Sequence, residues 1–262
     1  MKATRLSNKQ AELKDFLDEK VLLFNTRAFI EDDPVSIPHR YSFQGDIEVA
    51  AFLTATISWG NRKSIITNAS KLMRMMDESP HGFIIGHSAA ELKTLKNFVH
   101  RTFNGDDLIG FVKCLRMLYQ ENSTLEIYFE AAMKQHGNSC VAISEFRNAF
   151  FKCNHPARME KHVSDPLAGS AAKRINMFLR WMVRNDQNGV DFGIWKKISP
   201  AWLSIPLDVH SGNTARKLEL LERKQNDQKA VIELDRALRM FDPNDPIKYD
   251  YALFGLGAIE KF

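Results

Sequence analysis

Gly169-Ser170-Ala171-Ala172-Lys173-Arg174 opens a run, Ile175–Val183, whose apolar residues recur at helical spacing. Ile205-Pro206-Leu207-Asp208-Val209-His210 opens a second run that reaches Leu221. Each reads as a turn entering a helix, with an amine in the first turn of one and a carboxylate at the start of the other. A helix N-terminus carries free N–H groups and a partial positive charge. It keeps a carboxylate ionised, disfavours an added proton on a nearby amine and attracts phosphate. An amine, a carboxylate and an anion site in that setting suit chemistry on a sugar-phosphate backbone.

On either side of these junctions the chain reads as helices joined by short polar connectors. Ala11 to Phe29 places Leu13, Phe16, Leu17, Val21, Phe24 and Ala28 at helical spacing, and a connector with Pro34 and Pro38 follows. Asp46 is the expected N-cap of Ile47–Ser58, an apolar run suited to a buried helix. Helices are expected over Lys63–Met76, Ala89–Val99, Leu108–Glu121, Leu125–Gln135, Cys140–Phe151, Asp227–Phe241 and Tyr249–Ile259. A polar, Trp-bearing insertion covers Asn185–Ala201. There is no internal repeat and no convincing alternating strand pattern, so the expected fold class is all-α, with short β pieces left open.

With 262 residues, 44% of them hydrophobic, the chain can bury a sizeable core in one domain or two modest ones. Lys and Arg number 36 against 32 for Asp and Glu, a formal charge of +4. That permits nucleic-acid binding without carrying a strong basic signature. Three cysteines, Cys114, Cys140 and Cys153, are odd in number and widely spaced, which fits a reducing compartment. No C-x-x-C pair supplies ligands for a cluster or structural zinc. Cys153, His155 and His162 form the nearest metal-like grouping, and a polar connector before a helix is the simpler reading. The N-terminal residues are charged rather than apolar, unlike a signal peptide. No stretch approaches the roughly 18–20 apolar residues of a membrane span. A soluble, cytoplasmic monomer without metal or cofactor is expected.

Pro206-Leu207-Asp208-Val209-His210 resembles the "P-V-D-T-H" signature of helix-hairpin-helix DNA glycosylases. Pro166-Leu167-Ala168-Gly169-Ser170-Ala171-Ala172-Lys173 resembles their "L-P-G-V-G-x-K" hairpin. Tyr251-Ala252-Leu253-Phe254-Gly255-Leu256-Gly257-Ala258 is similar to their "x-A-L-M-x-L-G-A" helix, and Glu48–Thr56 to the apolar helix opening the helical barrel. Each segment alone is weak; the ordered set is more specific. The long interval between lysine and aspartate is most similar to the archaeal-type 8-oxoguanine glycosylase/lyases. Leu179–Arg184 and Asp191–Trp195 also resemble an uncharacterised bacterial family. The chain departs from the glycosylase pattern at the hairpin, which lacks its second glycine, and at Asn213, where many relatives carry arginine. Cluster cysteines are absent.

The resemblance implies two lobes, a helical barrel over residues 46–183 and a second lobe from 1–45 and 184–262, with a helix-hairpin-helix element at the cleft. It implies a DNA-repair glycosylase with AP lyase activity on an oxidised purine such as 8-oxoguanine, acting on damaged double-stranded DNA. Lys173 would be the Schiff-base nucleophile and Asp208 the carboxylate that offsets positive charge on the sugar. Ala168, Gly169, Ser170, Ala171, Arg174 and His210 would contact DNA, with Lys161 and Arg180 as further phosphate contacts.

A flipped base needs aromatic faces and directed polar groups. Ser58, Trp59, Asn61 and Arg62, around the flexible Gly60, form the expected pocket rim, with Trp181 beneath Lys173 or in the core. His100-Arg101-Thr102-Phe103-Asn104 is a second polar connector with an aromatic residue. Plainer readings stand beside these. Lys173 could be a surface lysine, Asp208 a simple N-cap, and Gly60 an ordinary helix end. A non-catalytic nucleic-acid-binding module with the same fold is the alternative function, and a helical scaffold the third.

Overall fold

The computed structural model describes residues 6–262 and is helical apart from one small hairpin. The helices are α1 (Asn8–Phe24), α2 (Ala28–Glu31), α3 (Gln44–Thr56), α4 (Arg62–Met75), α5 (Pro80–Gly86) and α6 (Ala89–Thr94). A two-residue pair, β1 (Val99–His100) and β2 (Phe103–Asn104), runs antiparallel. Then follow α7 (Gly105–Glu121), α8 (Ile127–His136), α9 (Ser139–Phe150), α10 (Lys173–Val183), α11 (Val209–Lys217), α12 (Gln228–Phe241) and α13 (Tyr249–Ala258). The all-α reading holds. Residues 1–5 of the segment assigned to the second lobe lie outside the described residues.

Helix α3 sits at the centre because it carries a run of apolar side chains, Val49–Leu53, and nearly all its residues are buried. It packs on α10, α5 and α4, while α8 pairs with α9 and α13 with both α1 and α11. Its one acidic interior residue, Glu48, is fully buried. Glu48 Oε1 accepts from Trp195 Nε1 at 2.8 Å and Gln44 Nε2 at 2.9 Å, and from the Thr124 hydroxyl. Oε2 accepts from Tyr119 Oη at 2.8 Å and Leu125 N at 2.9 Å. The Trp-bearing segment 185–201 is thereby anchored to α3 and runs along α10, Phe192 N donating to Trp181 O at 2.8 Å and Trp195 N to Met182 O at 2.9 Å.

Several boundaries differ from expectation, each for a local reason. Asp46 does not cap α3: Phe43 stands at the N-cap, and Asp46 Oδ1 accepts from His81 N at 2.8 Å, tying in α5. The first helix stops at Phe24, with Asn25 as C-cap, and α2 is a separate turn. Residues 95–104 leave the helical pattern for a 3-10 turn and the hairpin, whose Arg101 has φ +54°. α11 stops at Lys217, where Glu219 takes φ +59°. Cys114 and Cys153 form a disulfide, with only Cys140 free. Sequence distance concealed that pairing, because only the fold brings the half-buried Cys153, after α9, against the buried Cys114 of α7. His155 Nδ1 bonds Cys153 O at 2.7 Å, and His162 Nε2 lies 3.3 Å from Asp107, so the metal-like grouping is dispersed among other partners. No helix among the described residues is long and apolar enough to cross a membrane.

Candidate functional site

One cavity, of about 740 Å³, gathers both helix starts. Lys173 and Asp208 line it, with Ser58, Trp59, Gly60 and Arg62 from the α3–α4 junction. Lys173, Met177 and Arg180 reach it from one face of α10, spaced four and three residues apart. Phe29, Asp33, Asp250, Tyr251 and Phe254 also line it.

Asp208 is the N-cap of α11. Its Oδ1 accepts from Ser211 N at 2.9 Å and Ser211 Oγ at 3.2 Å, while Ser211 Oγ accepts from Asp208 N at 3.0 Å. This reciprocal box fixes the carboxylate and leaves Oδ2 outside those bonds. Asn226 Nδ2 donates to Asp208 O at 2.7 Å, and Arg216 Nη2 donates to Asn226 Oδ1 at 2.6 Å. Gly212 makes room for that chain, since a Cβ there would lie 2.7 Å from Asn226 Oδ1.

Lys173 is the first residue of α10, behind Ala172, whose φ of +46° puts the turn in the left-handed region. No carboxylate among the described residues lies within 4.0 Å of its amine. The turn before it is folded on itself: Gly169 N donates to Pro166 O at 2.9 Å, Ser170 N to Asp165 O at 3.2 Å and Ala172 N to Ser170 Oγ at 3.2 Å. The amides of Gly169 and Ser170 are therefore already used, contrary to their expected role in holding phosphate. By helix geometry those of Lys173, Arg174 and Ile175 remain at the α10 start. The exposed Ala168 and half-buried Ala171 flank this turn outside the cavity lining, and Gln228 N, donating to Gly169 O at 3.0 Å, docks it on α12. The segment before the turn is a 3-10 stretch, Ala157–His162, rather than an α-helix.

Arg174 is not an available phosphate ligand. Its guanidinium donates to Thr56 O and lies 4.8 Å from the Trp59 ring centroid, and burial pushes its pKa down to about 10. Trp59 is further held by His100, edge-on at 5.1 Å, and by His162, stacked at 6.0 Å. Burial also lowers both histidines, His162 to about 4 against the opposing pull of Asp107. Arg180 is likewise committed: it pairs with Asp250 and, at 3.2 Å, with Asp191, its guanidinium 4.4 Å from the Tyr251 ring. Arg184 joins Asp191 at 3.1 Å. Trp181 does not face the cavity. Eight residues past Lys173 it lies about 80° further round the helix, fully buried in the core. Asn61 is spent as the N-cap of α4, accepting from Ser64 N at 3.1 Å. His210 and Arg62 do reach the cavity, Arg62 lying 5.1 Å from the Phe254 ring.

Sequence reasoning missed Asp33 and Asp250. Asp33 Oδ1 accepts from Val35 N at 3.0 Å, and burial raises its pKa against the pull of that amide, Arg180, Arg62 and Lys173. Burial pushes Asp250 up to about 6; Arg180 and Lys173 pull it down and Asp208 pushes it up. The signals were faint: an acid before Pro34, and a lone acid four residues before Phe254 in an apolar helix. The cavity thus sets three carboxylates and one unpaired amine among four aromatic faces.

A family model described as "Protein of unknown function (DUF2400)" matches residues 33–259. The chain belongs to that family. No curated protein and no solved structure matches it.

Proposed function

We propose that this protein is a DNA-repair glycosylase with AP lyase activity on an oxidised purine such as 8-oxoguanine. The observation that carries the reading is that Lys173 and Asp208, each at a helix start, line the same aromatic cavity. Support for a two-lobed arrangement comes from the lining itself, which draws on segment 46–183 and on both flanking segments. The purine assignment rests on the resemblance.

In this reading a base flipped from the duplex enters among Phe29, Trp59, Tyr251 and Phe254. The Lys173 amine attacks C1′ as the bond from C1′ to the base breaks, and the base leaves with the bonding electrons and takes the proton that the newly alkylated amine gives up. Positive charge gathers on the sugar at that moment, and the fixed Asp208 carboxylate offsets it. Opening of the C1′–O4′ bond then yields the Schiff base. Loss of a C2′ proton expels the 3′ phosphate and cuts the strand.

Borohydride added during incubation with lesion-bearing duplex should link wild-type protein covalently to DNA. Lys173→Ala should abolish the link while retaining binding. Asp208→Asn should slow base excision by about 10²–10³-fold. Binding without trapping in the wild type would leave a nucleic-acid-binding module, and no binding at low salt would leave a helical scaffold.

A further inference from the structure

Beside the main cavity lies a second concavity of about 350 Å³, sharing His210 with it and lined by Asn213, Thr214, Arg216 and Lys217 together with Gly257 and Phe262. No acidic side chain lines it, whereas Asp33, Asp208 and Asp250 line the main cavity. Four of its residues share one helix face: His210, Asn213, Thr214 and Lys217 recur every three or four positions along α11.

Two cations stand at its wall without a carboxylate within 4.0 Å among the described residues, Arg216 and Lys217. Arg216 is aimed rather than neutralised. Its Nε donates to Arg223 O at 2.8 Å, its Nη2 to Asn226 Oδ1 at 2.6 Å and its Nη1 to Asn213 Oδ1 at 3.4 Å, all uncharged acceptors, which leaves one N–H on each terminal nitrogen. Lys217 lies 5.6 Å from the Phe262 ring. Thr214 is 1% exposed and its Oγ1 has no hydrogen-bond partner. Gly257 permits the close approach of α13 here, since a Cβ would fall 2.6 Å from that hydroxyl.

We infer that this basin binds a phosphate group, held by Lys217, Arg216 and His210. Its identification as a backbone phosphodiester, next to the nucleotide occupying the main cavity, rests on the proposed function. The preference for an anion rests on the basin alone. Two unneutralised cations beside uncharged donors favour an oxyanion, and His210, which lines both concavities, joins the basin to the main cavity. Occupancy also has a route to Asp208, through Arg216 and Asn226 to the Asp208 carbonyl.

The test has two arms, run on the full chain. In the first, binding of a duplex with an abasic analogue is measured across a salt series in the Lys173→Ala background, where strand chemistry plays no part. Adding Lys217→Ala should reduce the slope of log affinity against log salt by about 0.9, the value for one phosphate contact. In the second, inorganic phosphate is titrated while the His210 Cε1–H resonance is followed, assigned with His210→Gln. A phosphate-dependent shift lost in Lys217→Ala supports the site for a free anion. A changed slope without that shift supports the phosphodiester alone. An unchanged slope together with no shift, or with a shift that survives Lys217→Ala, overturns the inference. Failure of Schiff-base trapping would touch neither arm.

Discussion

Glu48 and Asp250 are both nearly sealed from solvent, yet one is saturated and the other is not. Glu48 takes five donors on its two oxygens; Gln44 belongs to α3 itself, and the other four come from segments that must be held against it. Asp250 has Arg180 as its only side-chain partner among the described residues, and it faces a cavity it shares with Lys173 and Asp208. A buried charge that is fully bonded acts as a joint. One left with acceptor capacity beside an opening keeps free energy in reserve for a ligand or a proton. The contrast separates scaffold from site without appeal to the fold's relatives.

The largest expected effect is at the joint. Glu48→Ala strands the Trp195 indole, the Tyr119 hydroxyl and the Leu125 amide together, and should cost about 3–5 kcal/mol. Urea unfolding measures it; a loss below about 1 kcal/mol would remove the distinction drawn between the two acids.

At Asp250 the difference emerges as pH dependence. Its folded pKa of about 6 stands above that of an ordinary aspartate, about 4, chiefly through burial. The folded state therefore holds a proton that the unfolded chain has released. The associated stability is fully present below about pH 4 and is lost as pH rises through about 6. Asp250→Asn has no such titration. Between those limits the stability gap should move in the variant's favour by about 2–3 kcal/mol. Parallel curves for wild type and variant would show that Arg180 holds Asp250 ionised throughout.

Much of the fold was legible because helical periodicity is local. Asp208 caps the helix it precedes as expected, whereas the cap expected of Asp46 fell to Phe43, and Asn61 and Asn104 cap their helices without having been read so. The pairing of Cys114 with Cys153 was hidden by the intervening chain, as was the anchoring of Trp195 on Glu48. In the cavity, Lys173 and Asp208 were visible as amine and carboxylate at helix starts. Arg174 was misjudged because adjacency to Lys173 in sequence says nothing of which way a helical side chain turns, whereas Trp181 took the core place, one of its two expected positions. Asp33 and Asp250 escaped notice since a single acid has no pattern; only the cavity gives each its company.

The smallest expected stability change tests how Asp208 itself is supported. At Gly212 an added Cβ would stand 2.7 Å from Asn226 Oδ1, 2.9 Å from its Nδ2 and 3.0 Å from Arg216 Nη1. Both neighbours are half-buried side chains able to move, so Gly212→Ala should alter stability by no more than about 1 kcal/mol. The Asn226 amide cannot stay where it donates to the Asp208 carbonyl, however, and the N-cap that orients the carboxylate loses a support. Single-turnover base excision should then fall by about tenfold, because a small displacement of a charge-stabilising group weakens it in the transition state more than in the ground state. An unchanged excision rate with the same stability would make Asn226 a packing residue and leave the capping box sufficient to hold Asp208.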